Sequence, residues 1–304
     1  MQQETHTNFK RKFLFIVNPN AGKKISGNLI EIIRNKIPKE IEYQIEIWKS
    51  KEHFKEILNL LQKNNFTDAI AVGGDGTVNQ VAKSVIGTNI ALGIVPAGSG
   101  NGLARTLGLS MKTEEVIKQI AEGNTKQIDY GTVNNIPFFC TSGIGFDAHI
   151  GNLFATSKKR GLQSYIKITV GELLRYKSQE YILKFNNQEI KRKAYLITVA
   201  NAGQYGNDFY IAPQAKINDG KFHLVILKPF GFFGAINVLI KVLKGRAFES
   251  KYIETYVCDS VTILRNNEGP VHFDGEPEMQ GKQVEFICNP TKLNVIVGKS
   301  KAFI

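Results

Sequence analysis

Three short, unbroken apolar runs, each closed by a turn of small residues that opens a helical pattern, constrain this chain most. The runs are residues 13–17, 69–72 and 91–95. The turns behind them are Asn18-Pro19-Asn20-Ala21-Gly22-Lys23, Gly73-Gly74-Asp75-Gly76-Thr77 and Pro96-Ala97-Gly98-Ser99-Gly100-Asn101. Apolar runs this short and without alternation fit strands covered on both faces. Between them, residues 26–37 (Leu29, Ile32 and Ile33 inward), 53–63 (Phe54, Ile57, Leu58 and Leu61) and 78–86 carry helical spacing. Residues 43–48 read as a strand, and a further helix follows Asn101. This alternation predicts an N-terminal α/β domain with a parallel sheet over residues 1–125.

The rhythm changes near Lys126. Residues 126–133 and 136–141 flank Asn134-Asn135 as a hairpin, and residues 179–186 and 194–201 flank another Asn-rich turn. Residues 221–227, 252–257, 261–264, 271–273, 284–288 and 293–297 are further short strands. Two helices interrupt them, at residues 162–176 and 232–243. The pattern predicts an antiparallel β-rich domain over residues 126–304, with the last residues packing back on the first domain. The helix at 232–243 puts Phe232, Ile236, Leu239, Ile240 and Leu243 on one face, as core packing in the ordinary reading or lipid contact in the other.

At 304 residues the chain can bury a sizeable core without staples. Cys140, Cys258 and Cys288 are odd in number and widely spaced, which excludes a disulfide scaffold and fits a cytoplasmic setting. The N-terminus shows no apolar leader core, and no clean run of 18 apolar residues predicts a membrane span.

The net charge is +12, from 39 basic and 27 acidic residues, and favours anionic partners. It concentrates between Gly151 and Lys193, where ten bases face three acids, a net of +7. A solvated surface and a peripheral contact with an anionic membrane both explain this segment. No aromatic-rich RNA-binding segment accompanies it, so a nucleic-acid partner is not expected. A homodimer is left open.

In a parallel sheet the three small-residue turns gather at the carboxyl ends of the strands, where open α/β sheets bind ligands. Glycine lets backbone N–H groups approach a phosphate, and the helix behind each turn adds partial positive charge. Asp75 is the odd member. A carboxylate there either caps the helix or requires a cation between itself and phosphate, for which Mg2+ is suited. A lone carboxylate with nucleotide and Mg2+ points to phosphoryl transfer.

Val72-Gly73-Gly74-Asp75-Gly76-Thr77-Val78-Asn79 resembles the GGDGT signature of the diacylglycerol kinase catalytic domain family, which includes bacterial lipid kinases and sphingosine and ceramide kinases. The likeness continues through Asn18-Pro19, the turn ending at Asn101, Pro213 with Asp219-Gly220, and Asp274-Gly275-Glu276. GGDGT alone is shared with NAD kinases and phosphofructokinases; the set in this order belongs to the lipid kinases. The resemblance implies two domains with the active site in the cleft between them, ATP as donor and a lipid hydroxyl as acceptor. It places nucleotide contacts at Asn18, Gly73, Gly74, Asp75, Gly76, Thr77, Val78, Asn79 and Ser99. Gly102 stands where many bacterial diacylglycerol kinases carry an aspartate, a departure toward the sphingoid-type subgroup.

A lipid hydroxyl needs a base or an orienting acceptor to attack phosphorus. In extended backbone Asp274 and Glu276 point the same way. With the resemblance, Glu276 is read as the base and Asp274 as a hydrogen-bonding or Mg2+-steering group, with the roles exchangeable; an ordinary Asp-Gly hairpin is the competing reading. The resemblance also implies a structural Mg2+ held by Asp219 and the carbonyls of Lys216 and Lys221, weakened because Asn218 replaces a frequent second aspartate. His149 and His272 read as ordinary surface or core residues. A NAD- or sugar-type kinase and a non-catalytic lipid- or nucleotide-binding regulator are the alternative functions.

Overall fold

The structure, a computed structural model, describes residues 11–20, 27–156, 168–169, 171–172, 175–207 and 209–299. The N-terminal domain runs β1 (Lys12–Val17), α1 (Gly27–Lys36), β2 (Glu42–Ile47), α2 (Lys51–Lys63), β3 (Asp68–Gly73), α3 (Asp75–Val85), β4 (Ala91–Pro96), α4 (Gly102–Thr106) and α5 (Thr113–Glu122). Its strands are parallel in the order β2-β1-β3-β4. β1 and β3 lie inside and are buried almost throughout, which is why their sequences do not alternate. α2 starts where the Ser50 hydroxyl accepts the His53 N–H at 3.2 Å.

The second domain follows with β5 (Thr125–Val133), β6 (Ile136–Phe138), β7 (Thr141–Gly145), α6 (Phe146–Thr156), β8 (Gln179–Phe185), β9 (Gln188–Ala194), β10 (Leu196–Ala200), β11 (Phe222–Leu227), α7 (Phe232–Leu243), β12 (Ile253–Cys258), β13 (Ser260–Arg265), β14 (Gly269–Phe273), β15 (Glu276–Gln280) and β16 (Gln283–Ile296). One sheet runs β12-β11-β10-β7-β14-β15. The other carries β16-β13-β8-β9, with β5 and β6 paired beside β16. The two form an antiparallel sandwich around Phe138, Phe222, Phe286, Ile263 and Val271.

β16 joins the domains. Its first half pairs antiparallel with β13, its end pairs parallel with β4 through Val295 and Leu92, and β5 follows it past an irregularity between Asn289 and Leu293. Residues 284–288 and 293–297, expected as two strands, are therefore one. The opposite correction holds at 136–141. Only β6 and the first residue of β7 fall in that segment, and they lie in different sheets, because the amides of Phe139 and Cys140 between them and of Thr141 at the start of β7 bond a carboxylate instead of a ladder.

Two strands escaped the sequence reading because both are polar sheet edges: β9 (QEIKRKA) and β15 (EPEMQ). β9 returns from β8 through Asn186 and Asn187, both at positive φ, a tight hairpin turn. α6 was also missed. The core-packing reading of the α7 face does not hold: Ile236, Leu239, Ile240 and Leu243 are exposed, whereas Val238 and Val242 pack on the outer face of the β12-β11-β10-β7-β14-β15 sheet with Val225 and Leu227. The helix expected at 162–176 lies mostly outside the described residues, as do Lys158, Lys159, Arg160 and Lys167 of the basic segment. Several of its other bases pair with acids: Lys184–Glu189, Lys191–Glu180 and Arg192–Glu254. Among the described residues no helix is long and apolar enough to cross a membrane.

Candidate functional site

The turns after β1, β3 and β4 meet at one end of the parallel sheet. α3 begins at Asp75, three residues before the expected start, with Gly74 as its N-cap. Asp75 is therefore inside the helix and does not cap it. Its carboxylate reaches sideways to the next turn: Oδ2 accepts the Asn101 N–H at 2.9 Å and Oδ1 the Gly102 N–H at 2.8 Å. Asn101 makes this possible by adopting left-handed backbone, φ +52. Its side chain closes the turn on Gly98, donating to Gly98 O and accepting from Gly98 N.

The two turns touch backbone to backbone. A Cβ on Gly98 would fall 2.6 Å from the Gly74 Cα, so no side chain fits there. A Cβ on Gly100 would meet Asp75 Oδ2 at 2.8 Å. Asn18 completes the rim: its Nδ2 donates to Thr77 Oγ1 at 2.9 Å, and its Oδ1 accepts the Trp48 indole N–H at 3.1 Å. Thr77, Val78 and Asn79 are buried in the first turn of α3, and Ser99 is exposed at the tip of the third turn.

The second domain meets this rim with the β14–β15 turn. Asp274 and Gly275 both have positive φ (51° and 93°), so the segment is a tight hairpin turn and the extended-backbone premise does not hold. Both carboxylates still reach the first domain. Asp274 Oδ2 accepts Asn79 Nδ2 at 2.8 Å and the Phe139 N–H at 2.9 Å; Oδ1 accepts the Cys140 and Thr141 N–H groups at 2.7 and 3.1 Å. Four donors fill the capacity of a carboxylate. Glu276 is exposed, and its Oε1 lies 3.3 Å from where a Cβ on Gly76 would stand. Gly76 thus lets a carboxylate of the second domain approach the start of α3.

Burial raises the Asp75 carboxyl above its ordinary value; the Gly102 and Asn101 amides oppose this, and the nearby Asp274 charge adds to it. Burial likewise raises Asp274 against its four donors. Asp75 uses two of about four acceptor positions on its carboxylate, so it fits a Mg2+ ion where Asp274 does not. The other predicted metal residues lie apart, at the loop before β11. Asp219 Oδ1 accepts the Lys221 N–H at 3.0 Å, and Lys216 is exposed. Buried Asp129, absent from the sequence reading, accepts the Gly220 N–H at 2.5 Å and gives that loop a second carboxylate. Among the described residues no three His, Cys, Asp or Glu side chains form a ready-made metal cluster.

Sequence reasoning also missed a buried network behind Glu276. His272 Nε2 lies 3.1 Å from Asp147 Oδ2, the Tyr205 hydroxyl donates to the same oxygen at 3.0 Å, and Thr198 joins both. The Tyr205 carbonyl in turn lies 3.0 Å from a Cβ position on Gly102. Only the fold brings these residues together.

The fold agrees with what the chain is similar to. Residues 12–133 match the family model for the diacylglycerol kinase catalytic domain, and residues 141–297 match the YegS C-terminal NAD kinase beta sandwich-like domain. The chain belongs to the diacylglycerol kinase catalytic domain family of lipid kinases. It is 31% identical over 214 residues to a protein of Chromohalobacter salexigens named as a probable YegS-like lipid kinase, covering 68% of this chain and 69% of that one. It is 27% identical over 252 residues to the diacylglycerol kinase of Bacillus subtilis, covering 77% and 78%. Among solved structures, a diacylglycerol kinase from Bacillus anthracis superposes with a TM-score of 0.69 at 20% identity over 96% of this chain and 98% of that one. An NAD kinase from Archaeoglobus fulgidus in complex with ATP gives 0.56 at 14% identity, covering 95% of each. The last two likenesses speak for the fold: a parallel α/β domain followed by an antiparallel β-sandwich.

Proposed function

We propose that this chain transfers the γ-phosphate of ATP to a lipid hydroxyl where α3 faces the β14–β15 turn. One observation carries the reading: exposed Glu276, from the second domain, stands over Gly76 at the start of a helix framed by three small-residue turns. A helix start favours phosphate oxygens. Asn18, Gly73, Gly74, Gly76, Thr77, Val78, Asn79 and Ser99 form the nucleotide side, with Trp48 and Thr77 fixing Asn18. Asp75 would hold Mg2+, which supplies neutralisation of phosphate charge. Glu276 takes the proton of the acceptor hydroxyl as its oxygen bonds to the γ-phosphorus and the bond to ADP breaks. Asp274 acts as a positioning residue, its four hydrogen bonds fixing the turn that carries Glu276.

Lipid as the acceptor class is supported by the names of the relatives and by family membership. Diacylglycerol-like and sphingoid-like alcohols both satisfy it. Such a substrate implies peripheral work at the cytoplasmic face of an anionic membrane. The Asp219 loop, with the Lys216 and Lys221 carbonyls and Asp129, would hold a second, structural Mg2+. The test is to incubate the protein with γ-labelled ATP, Mg2+ and separate acceptors: diacylglycerol, a sphingoid base, NAD and a simple sugar. Labelled phospholipid supports the reading; label on NAD or sugar alone, or on nothing, overturns it.

A further inference from the structure

α7 has apolar residues on both sides. Its inner side, Val238 and Val242, packs on the β12-β11-β10-β7-β14-β15 sheet, and Gly234 lets it settle against Phe230 and Tyr252, where a Cβ would clash at 2.7 and 3.0 Å. Its outer side exposes Ile236, Leu239, Ile240 and Leu243 to 43–51% each. At 100° per residue these four fall within one narrow stripe. Contiguous exposed apolar side chains of this kind mark an interaction surface.

The surroundings select the occupant. Residues 228–251 hold five bases and one acid. Arg246 pairs with Glu249, and Lys228 with Glu254. Lys241, Lys244 and Lys251 form no ion pair among the described residues. Lys241 and Lys251 line a groove of about 360 Å³ beside the stripe, together with Tyr252 and Glu249. An apolar stripe edged by lysines matches acyl chains below and anionic headgroups above. A second copy of this chain would set lysines against lysines.

We propose that this face of α7 seats on an anionic phospholipid bilayer and holds the second domain against it. The choice of occupant rests on the lipid kinase reading. α6 and α7 lie on the same side of the β12-β11-β10-β7-β14-β15 sheet, and α6 packs against β14 and β15, the hairpin that carries Glu276. β11, beneath α7, and β14 are three strand positions apart, about 14 Å. Anchoring at α7 therefore holds the acceptor side of the site near the surface from which a lipid hydroxyl would come.

The experiment reads binding and not turnover, so it fails or succeeds independently of the kinase reading. The full chain is sedimented with phosphatidylglycerol–phosphatidylcholine vesicles and with phosphatidylcholine vesicles, and its oligomeric state is measured by light scattering. The proposal expects binding to the anionic vesicles only, reduced at least ten-fold by L239S/L243S with the unfolding temperature kept. A separate variant, K244E/K251E, keeps the stripe and stays soluble, and should weaken binding at low salt to a similar degree. Equal binding to both vesicle types, no binding, or binding indifferent to both variants overturns it. So does a dimer that L239S/L243S converts to monomer, which would assign the stripe to a second copy.

Discussion

Asn79 donates through Nδ2 to Asp274 Oδ2 at 2.8 Å, joining α3 of the first domain to the β14–β15 turn of the second. The same carboxylate takes the amides of Phe139, Cys140 and Thr141. It thus ties three segments together, and its left-handed backbone aims the following residues at the cleft.

Replacing Asp274 by Asn should damage this knot and not a metal site. An amide nitrogen would face N–H donors that now meet oxygen, at about 1–3 kcal/mol for each donor left unpaired. Thermal unfolding of D274N should show the loss, and phosphoryl transfer should fall without relief from added Mg2+. Relief by Mg2+ would show that Asp274 holds the ion.

Gly98→Ala tests the contact between the second and third turns. Its Cβ would lie 2.6 Å from the Gly74 backbone, which cannot rotate away. Overpacking of this kind costs about 1–3 kcal/mol. The variant should lose stability by that amount and bind ATP more weakly, as read by denaturant unfolding and calorimetry. Unchanged nucleotide affinity would separate this contact from the binding site.

The parts legible in sequence were those whose signal is local. β1, β3 and β4 announced themselves because burial on both faces demands unbroken apolar residues. Asp75 stood out because a carboxylate beside a phosphate turn is chemically conspicuous, and Glu276 was singled out through the family resemblance, on an extended-backbone premise that the positive φ of Asp274 and Gly275 replaces with a turn. The partners of Asp75 were not, because they are main-chain amides of Asn101 and Gly102 and carry no side-chain mark. Asp129 and the Asp147–His272–Tyr205 network join residues far apart in the chain. The two readings of the α7 face could not be separated in sequence because a helix apolar on both sides gives no periodic contrast, and only the sheet beneath decides which side is covered.

His223 carries the acid sensitivity expected of the second domain. It is buried in β11 with no hydrogen-bond partner at Nδ1 among the described residues, and burial lowers its pKa below the ordinary histidine value, against the pull of Asp219. The unfolded chain therefore binds this proton first. The stability it carries is present above about pH 6.5 and is lost as pH falls through the lowered folded value. Thermal unfolding between pH 7.5 and 5 should show this loss, and His223→Gln should flatten it. An equal slope in the variant would assign the acid sensitivity elsewhere.

Asp75→Asn removes the charge at the centre of the rim and keeps the shape. One of the two amides would lose its acceptor, a cost of about 1–3 kcal/mol. Loss of a group that stabilises transition-state charge lowers rates by roughly 10²–10³-fold. The variant should therefore remain folded at 25 °C and lose most transfer. Near-normal turnover in a folded D75N protein would remove Asp75 from the chemistry.

The central claim is that Glu276, reaching across from the second domain, takes the proton of the acceptor hydroxyl. Single-turnover transfer from labelled ATP to lipid, measured beside Mg-ATP affinity in Glu276→Gln, tests it most directly. The amide keeps size and reach but cannot accept the proton, and loss of a general base costs on the order of 10²–10⁴ in rate. The account predicts nearly wild-type nucleotide affinity with transfer reduced by that factor. Normal transfer by E276Q would contradict it.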